Sequence, residues 1–289
     1  MSAPPNESSG PVAGHYDRLD PFYRQIWGEH IHHGLWTEPG LSPEVAVRRL
    51  VHRVARDARM KSGCRVCDVG CGYGAPARIW ARTYGADVVG FTVSEVQHAY
   101  AQQRSEGKTG PRYRCRDILK NDLPSETFDA VVAIESLTHT DDPARVVHEA
   151  ARLLRPGGRL VACVWMAAPA VSPGSRAVLL NPICAEGRLS GLPTATTLHR
   201  WATRAGLQVC RLSDRTAEVR RTWTHVVHRL GRALWTDPAV ARRLLDTSAP
   251  DRGFARTVLR IWAAQHLGVL RYGWLVAEQE GGQAVESGR

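Results

Sequence analysis

The sequence predicts an α/β fold, in which a doubly wound, mostly parallel seven-stranded sheet carries an N-terminal helical lid and late helical insertions. Two observations predict this fold. From Arg65 to Trp165, short apolar runs of strand character alternate with longer runs of helical periodicity. That alternation is typical of a parallel sheet with helices on both faces. Two more strand-like runs follow later in the chain of 289 residues.

The individual elements follow in order along the chain. Ser42 is expected to cap a helix that runs to about Met60, because Pro43 suits its first turn and Glu44 its positive end. Strands are predicted at Val66–Val69, Asp87–Phe91, Arg112–Cys115, Phe128–Ile134, Arg159–Trp165, Leu207–Leu212 and Arg271–Glu278. Helices are predicted at Ala75–Tyr84, Ser94–Arg104, Pro143–Leu154, Thr197–Ala205 and over most of 217–270.

These elements divide the chain into four parts. Residues 1–14 are small, polar and proline-rich and are predicted to form a disordered tail. Residues 15–60 are predicted to form a helical lid segment, broken near Asp20-Pro21. The domain itself is predicted over 61–280, with cap insertions near 167–193 and 217–270, and is followed by a tail over 281–289.

The composition excludes several classes of protein. Hydrophobic residues make up 43% of the chain and charged residues 23%, values that exclude a wholly disordered chain. The longest apolar run, Leu160–Val171, is too short to span a bilayer, and the N-terminus has no signal-peptide pattern. We therefore expect a cytoplasmic protein with no membrane partner, whose seven cysteines remain free thiols.

The formal net charge of +10 raises the question of nucleic-acid binding. Only three of the 38 basic residues are lysines, and the arginines are dispersed without a basic run or an aromatic–basic signature. A dispersed excess of charge is typical of a solvated surface, so we expect a small-molecule substrate and no nucleic-acid partner. The sequence leaves a homodimer open.

The strongest signal lies at the first turn between a strand and a helix, where Val66–Val69 leads into Gly70-Cys71-Gly72-Tyr73-Gly74. Glycines at this turn let backbone N–H groups approach a ligand in the crevice of a doubly wound sheet. The spacing alone also fits a dinucleotide. Asp68 disfavours a pyrophosphate and suits a cation. The second strand ends in Gly90-Phe91-Thr92, without an acid for an NAD ribose, so both observations favour S-adenosylmethionine (SAM).

At these residues the chain resembles the class I SAM-dependent methyltransferases. VCDVGCGYG at 66–74 resembles their first motif, and TVSEVQ at 92–97, CRD at 115–117 and LLRPGG at 153–158 follow in the family's order. The resemblance covers about residues 65–165 and implies the Rossmann-like SAM methyltransferase fold. The segment from Tyr16 to Trp36 is similar to small-molecule enzymes of the tocopherol, sugar-O-methyltransferase and phosphoethanolamine types.

The resemblance also implies which residues bind the cofactor. Asp68, Gly70 and Gly72 would lie around the methionine end of SAM. Gln97 would lie near the ribose and Asp117 near the adenine amino group. The implied cofactor-binding set is completed by Thr92, Ser94, Ile118 and Glu135.

Methyl transfer from a sulfonium needs an aligned nucleophile, exclusion of water and, for a hydroxyl acceptor, a base. His139 follows the fourth strand at the ligand-binding edge of the sheet and can act as a base near neutral pH. In the similar phosphoethanolamine enzymes, a His at this position pairs with a Tyr of the N-terminal segment. The resemblance therefore implies Tyr16 as the second catalytic residue, with Tyr23 as the alternative.

His30, His32 and His33 raise the question of a metal site. Only one or two of them would share a face, and no carboxylate or cysteine completes a ligand set, so no metal is expected. The sequence thus predicts methyl transfer from SAM to a small metabolite, most readily O-methylation of a natural product with His139 as base. N- or C-methylation stays open, as do, with less support, RNA methylation and a non-methylating cyclase.

Overall fold

The computed structural model describes residues 12–14, 17, 24, 28–105, 110–236 and 250–281. Seven strands form one sheet in the order β3-β2-β1-β4-β5-β7-β6. The strands are β1 Arg65–Val69, β2 Asp87–Thr92, β3 Arg112–Cys115, β4 Phe128–Ile134, β5 Leu154–Ala167, β6 Leu207–Asp214 and β7 Leu270–Gln279. Strand β7 is antiparallel to β5 and β6, and the other pairs are parallel. The predicted seven-stranded, mostly parallel sheet is confirmed.

Eight helices of seven or more residues accompany the sheet within the described ranges. They are α1 Pro43–Asp57, α2 Ala75–Tyr84, α3 Glu95–Gln103, α4 Pro143–Leu153, α5 Asn181–Gly187, α6 Ala195–Arg204, α7 Arg221–Thr236 and α8 Pro250–His266. Shorter turns lie at Ile118–Lys120, Leu137–His139, Pro173–Ser175, Arg176–Leu180 and Thr216–Val219. In these same ranges, no helix combines the length and apolarity that crossing a membrane requires.

Local sequence accounts for the positions of several helix ends. The side chain of Ser42 accepts a hydrogen bond from the N–H of Val45, so it caps α1 as predicted. Helix α2 is bounded at both ends by glycines in the left-handed region, Gly74 and Gly85, with φ of +72° and +65°. Strand β5 begins at Leu154, earlier than predicted, because this residue already pairs with Phe128 ahead of a register shift.

The sheet separates two apolar clusters, and a third lies in the helical insertions. Alternate residues of β1 point to opposite faces, so that Val66 packs in the cluster with α1 and α2, and Cys67 packs in the cluster with α4. The third cluster joins α5, α7 and α8 to the end of β5. We call α5, α7 and α8 the cap, which has its own packed interior beside the C-terminal edge of the parallel strands.

The described N-terminal residues differ in part from the predicted tail and helical lid, although Asp17 and Arg24 are helical and α1 lies within 15–60. Residues 12–14 are helical and Ala13 is 2% exposed, so helix occupies the last three positions of the segment expected to be a disordered tail. Most of 15–27 lies outside the described residues. Residues 28–36, which we call the strap, form a turn and irregular backbone rather than helix, and α1 begins only at Pro43.

Candidate active site

The strand order places a crevice at the carboxyl ends of β1 and β4. The chain leaves β1 towards β2 on one side, and β4 lies on the other side, so this is the switch point where doubly wound sheets bind ligands. The loop between β1 and α2 contains Gly70, Gly72 and Gly74, with φ of +74°, +54° and +72°. Glycine adopts these left-handed conformations without steric penalty.

Two of these glycines are also required by their neighbours. A Cβ atom at Gly70 would overlap the Cβ of Ser136, and one at Gly74 would overlap the hydroxyl of Tyr113. At Gly72 the nearest atom to a built Cβ is Cδ1 of Ile31, at 3.4 Å. Gly72 therefore faces the strap, which covers the loop.

Asp68 lies at the centre of the sheet, two residues before this loop. Its side chain is 2% exposed, and its Oδ2 atom has no hydrogen-bond partner. Desolvation by burial raises the pKa of Asp68 to about 7. An unpartnered buried carboxylate beside a glycine loop fits a ligand that brings a positive charge, such as the ammonium group of SAM.

The end of β2 forms a compact polar group. Ser94 caps α3 by accepting a hydrogen bond from the N–H of Gln97 at 3.1 Å. The Thr92 hydroxyl donates to Oε1 of Gln97 at 2.9 Å, and the Ser94 hydroxyl donates to Asp17 of the N-terminal segment. The structure therefore brings together the three residues that the sequence analysis assigned to this strand end, all of them buried.

The end of β3 is held by a similar cap. Oδ1 of Asp117 accepts a hydrogen bond from the N–H of Leu119 at 2.9 Å and starts the turn Ile118–Lys120. Ile118 is 5% exposed and packs in the same apolar cluster as Val69 of β1. Asp117 and Ile118 thus lie at the C-terminal edge of the sheet.

The strap crosses the glycine loop, and its N-terminal end is attached to helices α2 and α3. Glu29 pairs with Arg78 of α2 and accepts a hydrogen bond from the Tyr100 hydroxyl of α3 at 2.9 Å. Arg78 also donates to the carbonyl of Tyr73 inside the loop at 2.7 Å. The strap and the loop therefore form one connected unit.

Glu135, directly after β4, anchors the other end of the strap. Oε1 accepts hydrogen bonds from the backbone N–H of His33 and the hydroxyl of Tyr272, both at 2.8 Å. Oε2 accepts from Nδ1 of His33 and from the indole of Trp165, both at 2.9 Å. Four donors thus occupy the lone pairs that the carboxylate offers.

The conformation and charge of Glu135 are unusual. Its φ is +57°, in the left-handed region that residues with a side chain rarely adopt. Burial by itself would raise the pKa of Glu135, but His33 and the donated hydrogen bonds lower it to about 2. Glu135 is therefore a carboxylate throughout the physiological pH range.

The hydrogen bonds of His33 determine its tautomer. The indole N–H of Trp223, which can only donate, lies 2.7 Å from Nε2 of His33. Nε2 is therefore unprotonated, and the proton of the neutral ring is on Nδ1, where it is donated to Glu135. The side-chain amide of Gln265 in α8 lies 3.2 Å from the same Nε2 atom. His33 therefore links the strap, β4 and the cap.

His30 and His32 continue this set of polar contacts along the strap. Nδ1 of His32 donates to the carbonyl of His33 at 2.8 Å, and Nδ1 of His30 lies 3.1 Å from Nε2 of His32. Burial lowers the pKa of both, that of His30 to about 3. No group of three or more His, Cys, Asp or Glu side chains suited to a metal ion occurs in the described part of the chain.

The proposed catalytic residues are placed only in part. His139 ends the turn that follows Glu135, and its N–H donates to the carbonyl of Ser136 at 3.1 Å. Ser136 packs against Gly70, so His139 lies at the edge of the sheet that carries the glycine loop. Tyr16 and Tyr23 lie outside the described residues.

Sequence reasoning missed the residues that surround His33, namely Trp165, Trp223, Gln265 and Tyr272. They come from β5, α7, α8 and β7, and no motif connects them. The one signal present was that Trp165 and Tyr272 lie at or near the strand ends that face the crevice, where ligand-binding residues collect.

These features define a class: a doubly wound domain whose switch point holds a glycine loop and a buried carboxyl group with an unpartnered oxygen. Residues 67–162 match the family model described as a methyltransferase domain. The chain is 32% identical over 231 residues to 27-O-demethylrifamycin SV methyltransferase of Amycolatopsis mediterranei. That alignment covers 78% of this chain and 82% of the relative.

Two further similarities agree with this match. The chain is 33% identical over 177 residues to a probable chloroplastic tocopherol O-methyltransferase of Oryza sativa, covering 56% of this chain and 48% of that one. The crystal structure of the cyclase SpnF has a TM-score of 0.77 and 27% identity, over 98% of this chain and 99% of that chain. The chain belongs to the class I SAM-dependent methyltransferases that act on small molecules, so the resemblance seen in the sequence is confirmed.

Proposed function

We propose that this methyltransferase acts on a hydroxyl group of a natural-product metabolite, with His139 as the general base. The observation that carries this proposal is the similarity to 27-O-demethylrifamycin SV methyltransferase, whose name states methylation at an oxygen atom. The turn Leu137–His139 supports it, because it places a histidine at the edge of the crevice next to the glycine loop.

SAM, when bound, supplies a methyl group already activated as part of a sulfonium, so the chain has to bind, align and exclude water. Asp68, with its unpartnered oxygen, is proposed to hold the ammonium end. The remaining residues proposed to contact the cofactor are Gly70, Gly72, Thr92, Ser94, Gln97, Asp117 and Ile118.

Glu135 was expected among these cofactor-binding residues, and its hydrogen bonds support a different role. Its two oxygens already accept four hydrogen bonds within the protein. We propose that Glu135 acts on the cofactor site indirectly, by holding the strap over the glycine loop.

His33 is a poor candidate for the base. His33 is 2% exposed, and both of its ring nitrogens are engaged, Nδ1 with Glu135 and Nε2 with Trp223. These contacts leave His33 no ring nitrogen that could take a proton from an acceptor hydroxyl. Tyr16, implied by the resemblance as the partner of His139, remains a prediction.

The proposed activity is tested by incubating the purified protein with labelled SAM and a panel of hydroxylated natural products that includes 27-O-demethylrifamycin SV. A product heavier by one methyl substituent, with the label on oxygen by NMR, is the expected result. Label on nitrogen or carbon would contradict O-methylation. A product of unchanged mass would instead indicate a cyclisation, the reaction class that the name of SpnF suggests.

The role of His139 is tested by His139→Ala, with His148→Ala on the exposed face of α4 as the matched control. Removing a positioned base costs about 10²–10⁴ in rate, so kcat should fall that far while SAM affinity stays close to wild type. The control should keep its kcat. A loss smaller than about tenfold in His139→Ala would contradict the assignment of a base.

A further inference from the structure

Gln265, in the last turn of α8, carries a buried acceptor atom without a donor. Its side chain is 3% exposed, and its amide nitrogen Nε2 lies 3.2 Å from Nε2 of His33. Its carbonyl atom Oε1 has no hydrogen-bond partner. Buried polar atoms are paired in the great majority of cases, so an unpaired one requires an explanation.

The orientation of this amide follows from its neighbours. The Trp223 indole N–H is directed at Nε2 of His33, so that nitrogen is an acceptor. Only the NH₂ group of Gln265 can therefore face His33, because a carbonyl there would oppose a lone pair. Oε1 consequently points to the other side of the amide, away from His33.

The position of the amide is the junction between the crevice and the cap. On one side, His33 connects it to Glu135, which directly precedes the Ser136 that packs on Gly70. On the other side, Trp223 of α7 packs in the apolar cluster of the cap. A substrate that extends from the crevice into the cap would pass beside Gln265.

The surroundings of Gln265 are apolar, so without a ligand an apolar side chain would be more stable at this position than the amide. Its neighbours Ala264 and Ile261 are buried in the same cap cluster. His33 retains the Trp223 N–H as a donor without it. A leucine would therefore fill similar space and leave no acceptor unpaired, so the amide lowers the stability of the ligand-free fold.

We propose that Oε1 of Gln265 accepts a hydrogen bond from a hydroxyl of the methyl-acceptor substrate and selects substrates that carry this group. The inference rests on the proposed function and names a specificity-determining residue that is separate from His139 and from the cofactor site. A site that pairs a buried acceptor with a substrate hydroxyl discriminates against analogues that lack it, because the acceptor is then left unpaired.

The test compares Gln265→Leu with Gln279→Leu as the matched control. Gln279 also has an unpartnered buried Oε1 atom, but it ends β7 at the opposite edge of the sheet, next to Leu207. Without substrate, Gln265→Leu should unfold at the same temperature as wild type or above it. A clearly lower unfolding temperature would show that the amide supports the fold, and would overturn the proposal whether or not an acceptor is known.

With an acceptor identified in the assay above, Gln265→Leu should raise KM about tenfold, with a smaller effect on kcat and none on SAM affinity. Gln279→Leu should leave KM unchanged. With an acceptor analogue that lacks the hydroxyl proposed to bind Gln265, the wild-type enzyme should show the same increase in KM. Gln265→Leu should show no further increase in KM with that analogue. Full additivity of the two losses, or a crystal structure with only water on Oε1 beside bound acceptor, would overturn the proposal. Absence of any methylated product would count against the proposed function itself.

Discussion

At the level of single residues, Asp68 shows how a buried carboxyl group lowers the stability of its own fold. Burial raises the pKa of Asp68 from 3.8 to about 7. The folded protein thus keeps this proton to a higher pH than the unfolded chain does. The fold therefore loses stability as the pH rises from about 4 to about 7, because the unfolded chain releases this proton while the folded protein retains it, and the loss reaches about 4 kcal/mol. A cation beside Oδ2 would offset this loss.

We expect SAM binding to release a proton near pH 7, because the cation stabilises ionised Asp68. SAM affinity should fall as the pH decreases below about 7, by up to tenfold per pH unit. Asp68→Asn should bind SAM at least about tenfold more weakly while the ligand-free variant unfolds at a higher temperature. Titration calorimetry in buffers of different ionisation enthalpy measures the affinity and the proton release together.

The control for this prediction is Asp87→Asn. Asp87 begins β2 at the opposite edge of the sheet, where it forms an exposed ion pair with Arg112. Its substitution should change neither SAM affinity nor proton release. Wild-type affinity that is equal at about pH 6 and about pH 8 would show that Asp68 does not face the cofactor.

At the level of elements, the strap is attached by consecutive backbone amides. The N–H groups of His33, Gly34, Leu35 and Trp36 donate to Glu135, Thr222, Ala46 and Glu218, at 2.8, 3.0, 2.9 and 2.7 Å. These acceptors belong to four different parts of the chain. This end of the segment that was predicted to be a lid is therefore docked.

Amide hydrogen exchange over residues 33–36 should accordingly be slow even without cofactor, because opening these bonds breaks contacts to several elements together. S-adenosylhomocysteine should change the protection of these four amides little. Fast exchange that slows on adding S-adenosylhomocysteine would instead identify the strap as a gate.

Some elements could be predicted from sequence because their signals are local. The bounds of α2, β3 and β4 agree with the structure residue by residue, since loops or glycines delimit short, regular apolar patterns. The strap could not be predicted in this way. It has no periodicity, and His33 and Glu135 are separated by 102 residues.

At the level of the whole molecule, the strap contributes to the stability of the complete fold. Leu35 and Trp36 are 5% and 6% exposed, and burying each such side chain is worth about 1.5–3 kcal/mol. A chain without residues 1–36 would also leave Glu135 without the two donors of His33.

Deleting residues 1–36 should therefore lower the unfolding temperature by about 10 °C. Deleting residues 1–27 keeps the strap and should lower it less, although it removes the contact between Asp17 and Ser94. Differential scanning calorimetry of the two truncated proteins measures the difference. An equal decrease in the unfolding temperature of both truncated proteins would mean that the strap adds nothing to the stability of the core.

The candidate site divides in the same way into predictable and unpredictable parts. Asp68 lies near the end of β1, and the glycine loop, Ser94 and His139 follow β1, β2 and β4, so the order of elements alone brings them to one edge. The contacts of Glu135 and Gln265 arise from packing between α7, α8, β7 and the strap. The lack of a hydrogen-bond partner for Oε1 of Gln265 is a consequence of packing, and it cannot be predicted from the residue type.

The position of β7 has a consequence for synthesis in the cell. Along the chain, β7 is the last of the described strands, yet it lies between β5 and β6, and β6 pairs with β7 alone among them. During synthesis on the ribosome, β1 to β5 can assemble before β7 has been made. Until then β6 has no strand to pair with, and one edge of β5 is unpaired. Such edges invite pairing with other nascent chains. We therefore expect the yield of soluble enzyme to depend on the rate at which β7 is translated and leaves the exit tunnel.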